Sequence, residues 1–237
     1  MFTICVYGGL KVDLPQCAKC PGAYCSLTPL EEIDKGVLPS FCPMKNSIET
    51  IRSAVKQYGE DGVKRIYVPA TITEKEAYEV VRGALMAVRP RIKELIEFAK
   101  LTKAKKLGVA FCAGLSDEAA RTVAVLEEAG FTVASVRCKC GAIDKTELGV
   151  AKQYKIGDSA RFEAACNPIV QAWLLNEAGT DINILVGLCV GHDMLFTMHS
   201  KAPVTTLIVK DRLLGHNPVI ALYSGYHKDL MKLQKRL

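Results

Sequence analysis

The segment QCAKCPGAYCS, followed by FCP, places Cys17, Cys20, Cys25 and Cys42 in the pattern C-x2-C-x4-C-x16-C. Four thiolates at such spacing, on a turn-rich backbone, suit a tetrahedral four-cysteine zinc site or a [4Fe-4S] cubane, since both need soft ligands wrapped round a point. The pattern is not the paired C-x2-C ribbon of common zinc modules. Cys20-Pro21 and Cys42-Pro43 resemble the Cys-Pro ending of bacterial ferredoxin runs, which favours iron–sulfur and keeps zinc as the alternative. The chain has ten cysteines in 237 residues. The start, MFTICVYGGLKVDLPQ, lacks a basic region before an apolar core, and no apolar run reaches the ~18 residues of a membrane span. The expectation is therefore a cytoplasmic, reducing setting without membrane attachment, where clustered cysteines mean metal or catalysis rather than disulfides. Cys5, in the apolar stretch Phe2 to Tyr7, reads as a buried small hydrophobe.

A second group emerges from topology. Leu107 to Phe111, Phe131 to Val136 and Ile182 to Leu188 read as short buried strands, and each runs into cysteine: Cys112, then Cys138 and Cys140, then Cys189. Cys166 stands just before Asn167-Pro168, a cap and first-turn proline. In an open parallel sheet the strand C-termini share one edge, and ligands bind in the crevice outside it. Cys112, Cys138, Cys166 and Cys189 then meet there as ligands of a second cluster, with Cys140 the spare that could replace Cys138. Some of them could instead be free nucleophiles or redox thiols. His192 and Asp193 follow Cys189 closely, Lys210 and Arg212 follow a fourth strand, Val204 to Val209, and His216 precedes a fifth, Val219 to Tyr223. Lys210 or Arg212 would orient a small anionic substrate; His192, Asp193 or His216 would move protons, with Cys189 at the reacting centre.

The positioning elements follow from periodicity and caps. Helices are expected over Ser47 to Tyr58, Glu74 to Val88 and Pro90 to Leu101, the last burying Ile92, Leu95, Ile96 and Ala99. Ser116 caps a helix that stops at Gly130. A helix from Asn167-Pro168 closes at Gly179, another starts near Asp193, and a basic helix ends the chain. Strands alternating with helices predict an α/β, Rossmann-like, mostly parallel sheet flanked by helices. The expected division is a Cys-rich metal-binding segment, 1–45, and a helical lead-in with the α/β domain, 46–237. Gly141 to Ala165 is too long for a plain connection and reads as a lid or site-building insertion.

The net charge of +6 concentrates in Arg89 to Lys106 and Tyr226 to Leu237, both solvated helix faces. Neither interleaves aromatics with its charges, which argues against a nucleic-acid surface. No phosphate loop or dinucleotide fingerprint is present.

FCAGL, CKCG, CNPIVQAWLLN, GLCVGHDMLF and VKDRLLGHNP, with the early C-x2-C-x4-C, resemble a prokaryotic domain-of-unknown-function family whose members are labelled uncharacterised metal-binding proteins. The resemblance runs from about Cys17 to Tyr223. It implies metal binding through Cys17, Cys20, Cys25, Cys42, Cys112, Cys138, Cys166 and Cys189, in a prokaryotic and often anaerobic setting, and names no reaction. The combined expectation is one or two [4Fe-4S] clusters, or zinc at the first group, in a redox or sulfur-handling enzyme with a small-molecule substrate and an electron donor. The alternative is a non-catalytic metal-binding protein serving structure, delivery or sensing.

Overall fold

The computed structural model describes residues 14–227 and 231. Phe2 to Tyr7 with Cys5, and most of the basic C-terminal segment, lie outside them. The chain forms two compact units, Met1–Val68 and Pro69–Leu237.

The first unit has short elements: a 3-10 turn at Cys17–Lys19, α1 (Tyr24–Leu27), α2 (Pro43–Asn46), α3 (Ile48–Lys56) and the start of α4 (Asp61–Glu76). Among its described residues only Leu38 and Cys42 are buried. Two such side chains are a small core for so long a segment, and small domains of this kind commonly rely on a metal or other staple.

The second unit opens with a hairpin, β1 (Tyr78–Val81) and β2 (Ala84–Ala87), where a helix over Glu74 to Val88 was expected. The helix stops at Glu76. Arg82 and Gly83 both adopt positive φ, 52° and 79°, the two-residue geometry that matches strand twist. Tyr78, Val80 and Val81 favour extended backbone. Next comes α5 (Arg91–Leu101), with Pro90 at its cap rather than in its first turn, and with Leu95, Ile96 and Ala99 buried as the spacing predicts.

The core alternates β3 (Lys106–Phe111), α6 (Ser116–Glu128), β4 (Thr132–Arg137), α7 (Pro168–Glu177), β5 (Ile182–Val186), α8 (His192–His199) and β6 (Val204–Ile208). The sheet is wholly parallel, in the order β4-β3-β5-β6, as the Rossmann-like reading requires. β3 and β5 lie at its centre. Leu107, Val109, Ile184 and Val186 are fully enclosed there. Chain order reverses between β3 and β5, so the crevice expected of such folds opens beyond their C-terminal ends. Arg91 ties α5 to edge strand β6, its Nε donating to the Thr206 carbonyl at 2.8 Å and its Nη2 to Thr205 Oγ1 at 3.1 Å.

Two details depart from expectation. Ser116 is the first helical residue of α6; Leu115 holds the cap position, and Ser116 Oγ donates to the Ala113 carbonyl at 2.9 Å. The expected fifth strand is a helical turn, α9 (Ile220–Tyr223). Asn217-Pro218 initiates it: Ala221 N–H reaches the Pro218 carbonyl at 3.2 Å, and proline's fixed φ suits a helix start.

The insertion at 141–165 is organised by Asp144. Its Oδ1 accepts from Thr146 N–H and Oγ1 at 2.9 and 2.7 Å, and its Oδ2 from Lys155 Nζ at 2.9 Å and Glu163 N–H at 2.8 Å. Lys145 pairs with Glu163 at 2.5 Å beside it. The Lys155 ammonium, then the Thr146 and Glu163 amides, hold the Asp144 carboxyl well below the usual carboxylate range. A depressed acid contributes its full stabilisation above its unfolded pKa, near 4, and loses it as pH falls through the folded value. Acidification below about pH 4, or Asp144→Asn at neutral pH, is expected to lower amide protection factors across 141–165 while those in β3 and β5 stay high. Equal protection of the insertion in Asp144→Asn would contradict this.

Candidate metal–thiolate site

The adjacent strands β3 and β4 each end at sulfur. Cys112 follows β3, and its N–H reaches the Val186 carbonyl at 3.2 Å. Cys138 follows β4, and its N–H reaches the Phe111 carbonyl at 2.9 Å. Phe111 and Arg137 are register partners, so Cys112 and Cys138 are the next pair along. Cys166 precedes α7, whose cap Asn167 donates its N–H to the Cys138 carbonyl at 2.7 Å and accepts from Val170 N–H at 3.3 Å. The strand ends and the helix cap thus bring Cys112, Cys138 and Cys166 to one edge.

Protons are unequally shared among the three. The Cys138 thiol beside Cys112 pulls the Cys112 thiol down to about 4, against burial, with Lys210 assisting. Cys138 likewise brings Cys166 to about 5, with Lys139 and His192 adding favourable charge. Cys138 itself is pushed strongly upward by Cys112, then by Cys166 and burial. The proton is thus favoured on Cys138, and negative charge on Cys112 and Cys166. Lys210 Nζ donates to Cys112 Sγ at 2.6 Å, and Ala113 N–H to Cys138 Sγ at 3.2 Å. Cys189 has a different partner: Arg212 Nη2 donates to its Sγ at 3.0 Å. The two cations that sequence position marks as substrate-orienting groups therefore face sulfur.

The turn that delivers them is knotted. Asp211 sits between Lys210 and Arg212, and its Oδ1 accepts from Leu213 and Leu214 N–H at 2.9 and 2.8 Å. His216 accepts the Asp211 N–H on Nδ1 at 3.1 Å and returns its own N–H to the Asp211 carbonyl at 3.0 Å. Its φ is +66°. The imidazole thus positions the turn rather than facing the sulfurs. His216→Ala is expected to raise Asp211 amide exchange about tenfold, the equivalent of one lost hydrogen bond of ~1 kcal/mol with some added backbone strain. His216→Asn, which keeps an acceptor and tolerates positive φ, should restore protection. Equal exchange in both variants would refute the positioning role.

Asp193 is spent on backbone: its Oδ1 accepts from Gly191 and Met194 N–H at 2.9 and 2.8 Å. Cys140 is half-buried, and it is Cys138 that lies between Cys112 and Cys166. In the first unit, Cys17 and Cys25 are exposed, Cys20 is half-buried with its Sγ on the Gly22 carbonyl at 2.9 Å, and Cys42 is buried at the cap of α2. Among the described residues, no three or more His, Cys, Asp or Glu side chains stand ready-arranged round a single metal ion.

Two contributors escaped the sequence reading. Gln171 is fully buried, and its Nε2 donates to the Phe111 and Val136 carbonyls at 3.2 and 2.7 Å, joining the ends of β3 and β4 beneath the cysteines. Its signal was available: a glutamine on the apolar stripe Pro168, Gln171, Ala172, Leu175. Lys139, between two cysteines, donates to the Ala164 carbonyl and lends charge to Cys166.

Fold and site define a parallel α/β protein with a cysteine-lined edge at its topological switch point. Residues 42–207 match the family model described as protein of unknown function, DUF1847, and the chain belongs to that family. An uncharacterized protein of Methanocaldococcus jannaschii is 49% identical over 156 residues, covering 66% of this chain and 77% of that protein. No solved structure matches. The family stretch takes in Cys42, Cys112, Cys138, Cys166 and Cys189, but neither Cys17, Cys20 and Cys25 nor VKDRLLGHNP. Among the described residues no helix is long and apolar enough to cross a membrane.

Proposed function

We propose that the C-terminal edge of the sheet is a metal–thiolate centre, with Cys112, Cys138 and Cys166 as its sulfur ligands and an iron–sulfur cluster as its occupant. The observation that carries this reading is the cysteine trio at one sheet edge, with the Lys210 ammonium on Cys112 Sγ and the Ala113 N–H on Cys138 Sγ. Such a donor set fits the group: soft ligands, N–H···S contacts and nearby positive charge offset the negative charge of a thiolate-bound cluster. When bound, a cluster would supply one-electron redox chemistry or an open iron site. The chain's own residues hold Cys138 between its neighbours through Gln171, fix Lys210 and Arg212 through the Asp211–His216 turn, and present Cys189 to the crevice. A small anionic substrate handled in redox or sulfur chemistry suits this cationic surround.

In the first unit a second metal, bound by Cys17, Cys20, Cys25 and Cys42, is supported by the scarcity of buried side chains among its described residues. Zinc or a cluster would staple it. Metal binding without catalysis is the rival for the whole chain. The test replaces Cys112, Cys138 and Cys166 together with serine, and separately Cys17, Cys20 and Cys25, in anaerobically purified full-length protein. Loss of iron and sulfide in the first variant, with the second retaining them, supports the reading. Iron and sulfide unchanged in the first variant would sink it.

A further inference from the structure

The two helices on one face of the sheet turn apolar residues to solvent. β4 to β5 and β5 to β6 step the same way across the sheet, so right-handed crossovers set α7 and α8 side by side, with α6 on the opposite face. Asn176 Nδ2 donates to the His199 carbonyl at 2.9 Å and its Oδ1 accepts from Lys201 N–H at 2.8 Å, which joins the ends of the two helices. Their inner sides, with Ala172 and Leu175 on α7 and Phe196 on α8, are buried. Trp173 lies one turn before Asn176, on the side of α7 next to α8, and is 59% exposed. Met194 and Met198 stand one turn apart on α8 and are 62% and 58% exposed; Leu195 beside them is 38% exposed. A surface helix ordinarily presents charged and polar residues outward. These two helices carry no lysine or arginine and one acidic residue each: Glu177 at the end of α7, and Asp193, whose Oδ1 is held by the Gly191 and Met194 amides.

We infer that this face docks a second copy of the chain, in a two-fold symmetric dimer that buries Trp173, Met194, Leu195 and Met198 of both copies. The four side chains leave roughly 450 Å² exposed per copy, so face-to-face docking removes about 900 Å² from water before any rim residue is counted, where a specific interface needs about 1,000 Å² in all. Composition agrees: Trp and Met are enriched and Lys is depleted at interface centres, and Trp is a frequent hot spot. Charge selects the occupant. Each copy carries a net +6, so two copies repel. A face without cationic residues is where they meet at least cost, and an apolar face is complementary to itself across a two-fold axis. The dimer does not depend on the reading of the cysteine trio as a metal site.

The test is sedimentation of full-length protein under reducing conditions across a concentration series, with the emission of Trp173, the one tryptophan of the chain, read on the same samples. The wild type should sediment at twice the chain mass, and as the dimer forms its Trp173 emission should shift to the blue and resist acrylamide quenching. Added salt should tighten association, because it screens the repulsion between like-charged copies. Met194→Lys with Met198→Lys should raise the dissociation constant roughly 100-fold or more, since ammonium groups would be buried without partners, while circular dichroism stays that of the wild type. Val125→Lys, on exposed α6 at the opposite face, should dimerise as the wild type does. A wild type that stays monomeric at every concentration overturns the inference. So does a dimer that persists in the double lysine variant, weakens in salt, or leaves Trp173 open to quencher.

Discussion

Cys138→Ser is expected to abolish metal binding at the sheet edge, with a larger effect than any other single cysteine replacement. Cys138 is the central member of the trio, 2% exposed, beside both Cys112 and Cys166. Serine keeps nearly the same shape but is a hard, weakly acidic oxygen donor, poorly matched to a thiophilic metal. The thiol's influence on both neighbours goes with it, so Cys112 and Cys166 should titrate upward towards the ordinary thiol value near 8.5. Retained metal should fall at least tenfold, while far-ultraviolet circular dichroism stays that of the wild type. Cys140→Ser, by comparison, should bind as wild type. Equal losses in the two variants would mean that the central position of Cys138 has no bearing on binding.

Gly108→Ala is expected to cost roughly 2–5 kcal/mol, combining overpacking with an unpaired buried amide. A Cβ at this position would stand 2.0 Å from Asn183 Oδ1 and 3.0 Å from Leu175 Cδ1. Asn183 cannot yield cheaply. It is fully buried, accepts from Thr180 Oγ1 at 2.8 Å and donates Nδ2 to Ser200 Oγ at 2.8 Å. These bonds tie the start of β5 to the end of α8, the helix that carries His192. A loss of that size is a large share of the ~5–15 kcal/mol typical of a folded domain. Urea unfolding measures it directly, and a midpoint within error of wild type would show that Asn183 repacks. Gly187 is a second such site, with φ +69° and a Cβ that would meet Leu115 Cδ2 at 2.5 Å.

The sheet was legible because its strands are short apolar runs and because parallel topology forces their C-terminal ends together. That is why the sequence alone assigns cysteines as distant as Cys112, Cys138 and Cys166 to one edge. The hairpin was not legible. Tyr78 to Ala87 carries apolar residues dense enough to mimic a helix, and Arg82-Gly83 is not the Asn-Gly turn that signals such a hairpin. Lys210 and Arg212 were correctly placed after a strand, but their aim at sulfur depends on the Asp211–His216 knot, a local hydrogen-bond pattern with no periodic signature. Pro218 after Asn217 held the information that α9 replaces a fifth strand; the apolar run that follows it suggested a strand instead. Gln171 was visible as a polar residue on an apolar stripe, but its role depends on two carbonyls from β3 and β4 that no local pattern reveals.

The central claim is that the sheet edge binds metal through sulfur. The most direct measurement is iron, zinc and acid-labile sulfide per chain in protein purified without oxygen, read together with the visible absorption spectrum. The account predicts iron and sulfide in equal amounts, about four of each for one cubane, with a band near ~400 nm that bleaches on reduction. A colourless protein holding neither iron nor zinc would contradict it and leave Cys112, Cys138 and Cys166 as a metal-free thiol cluster.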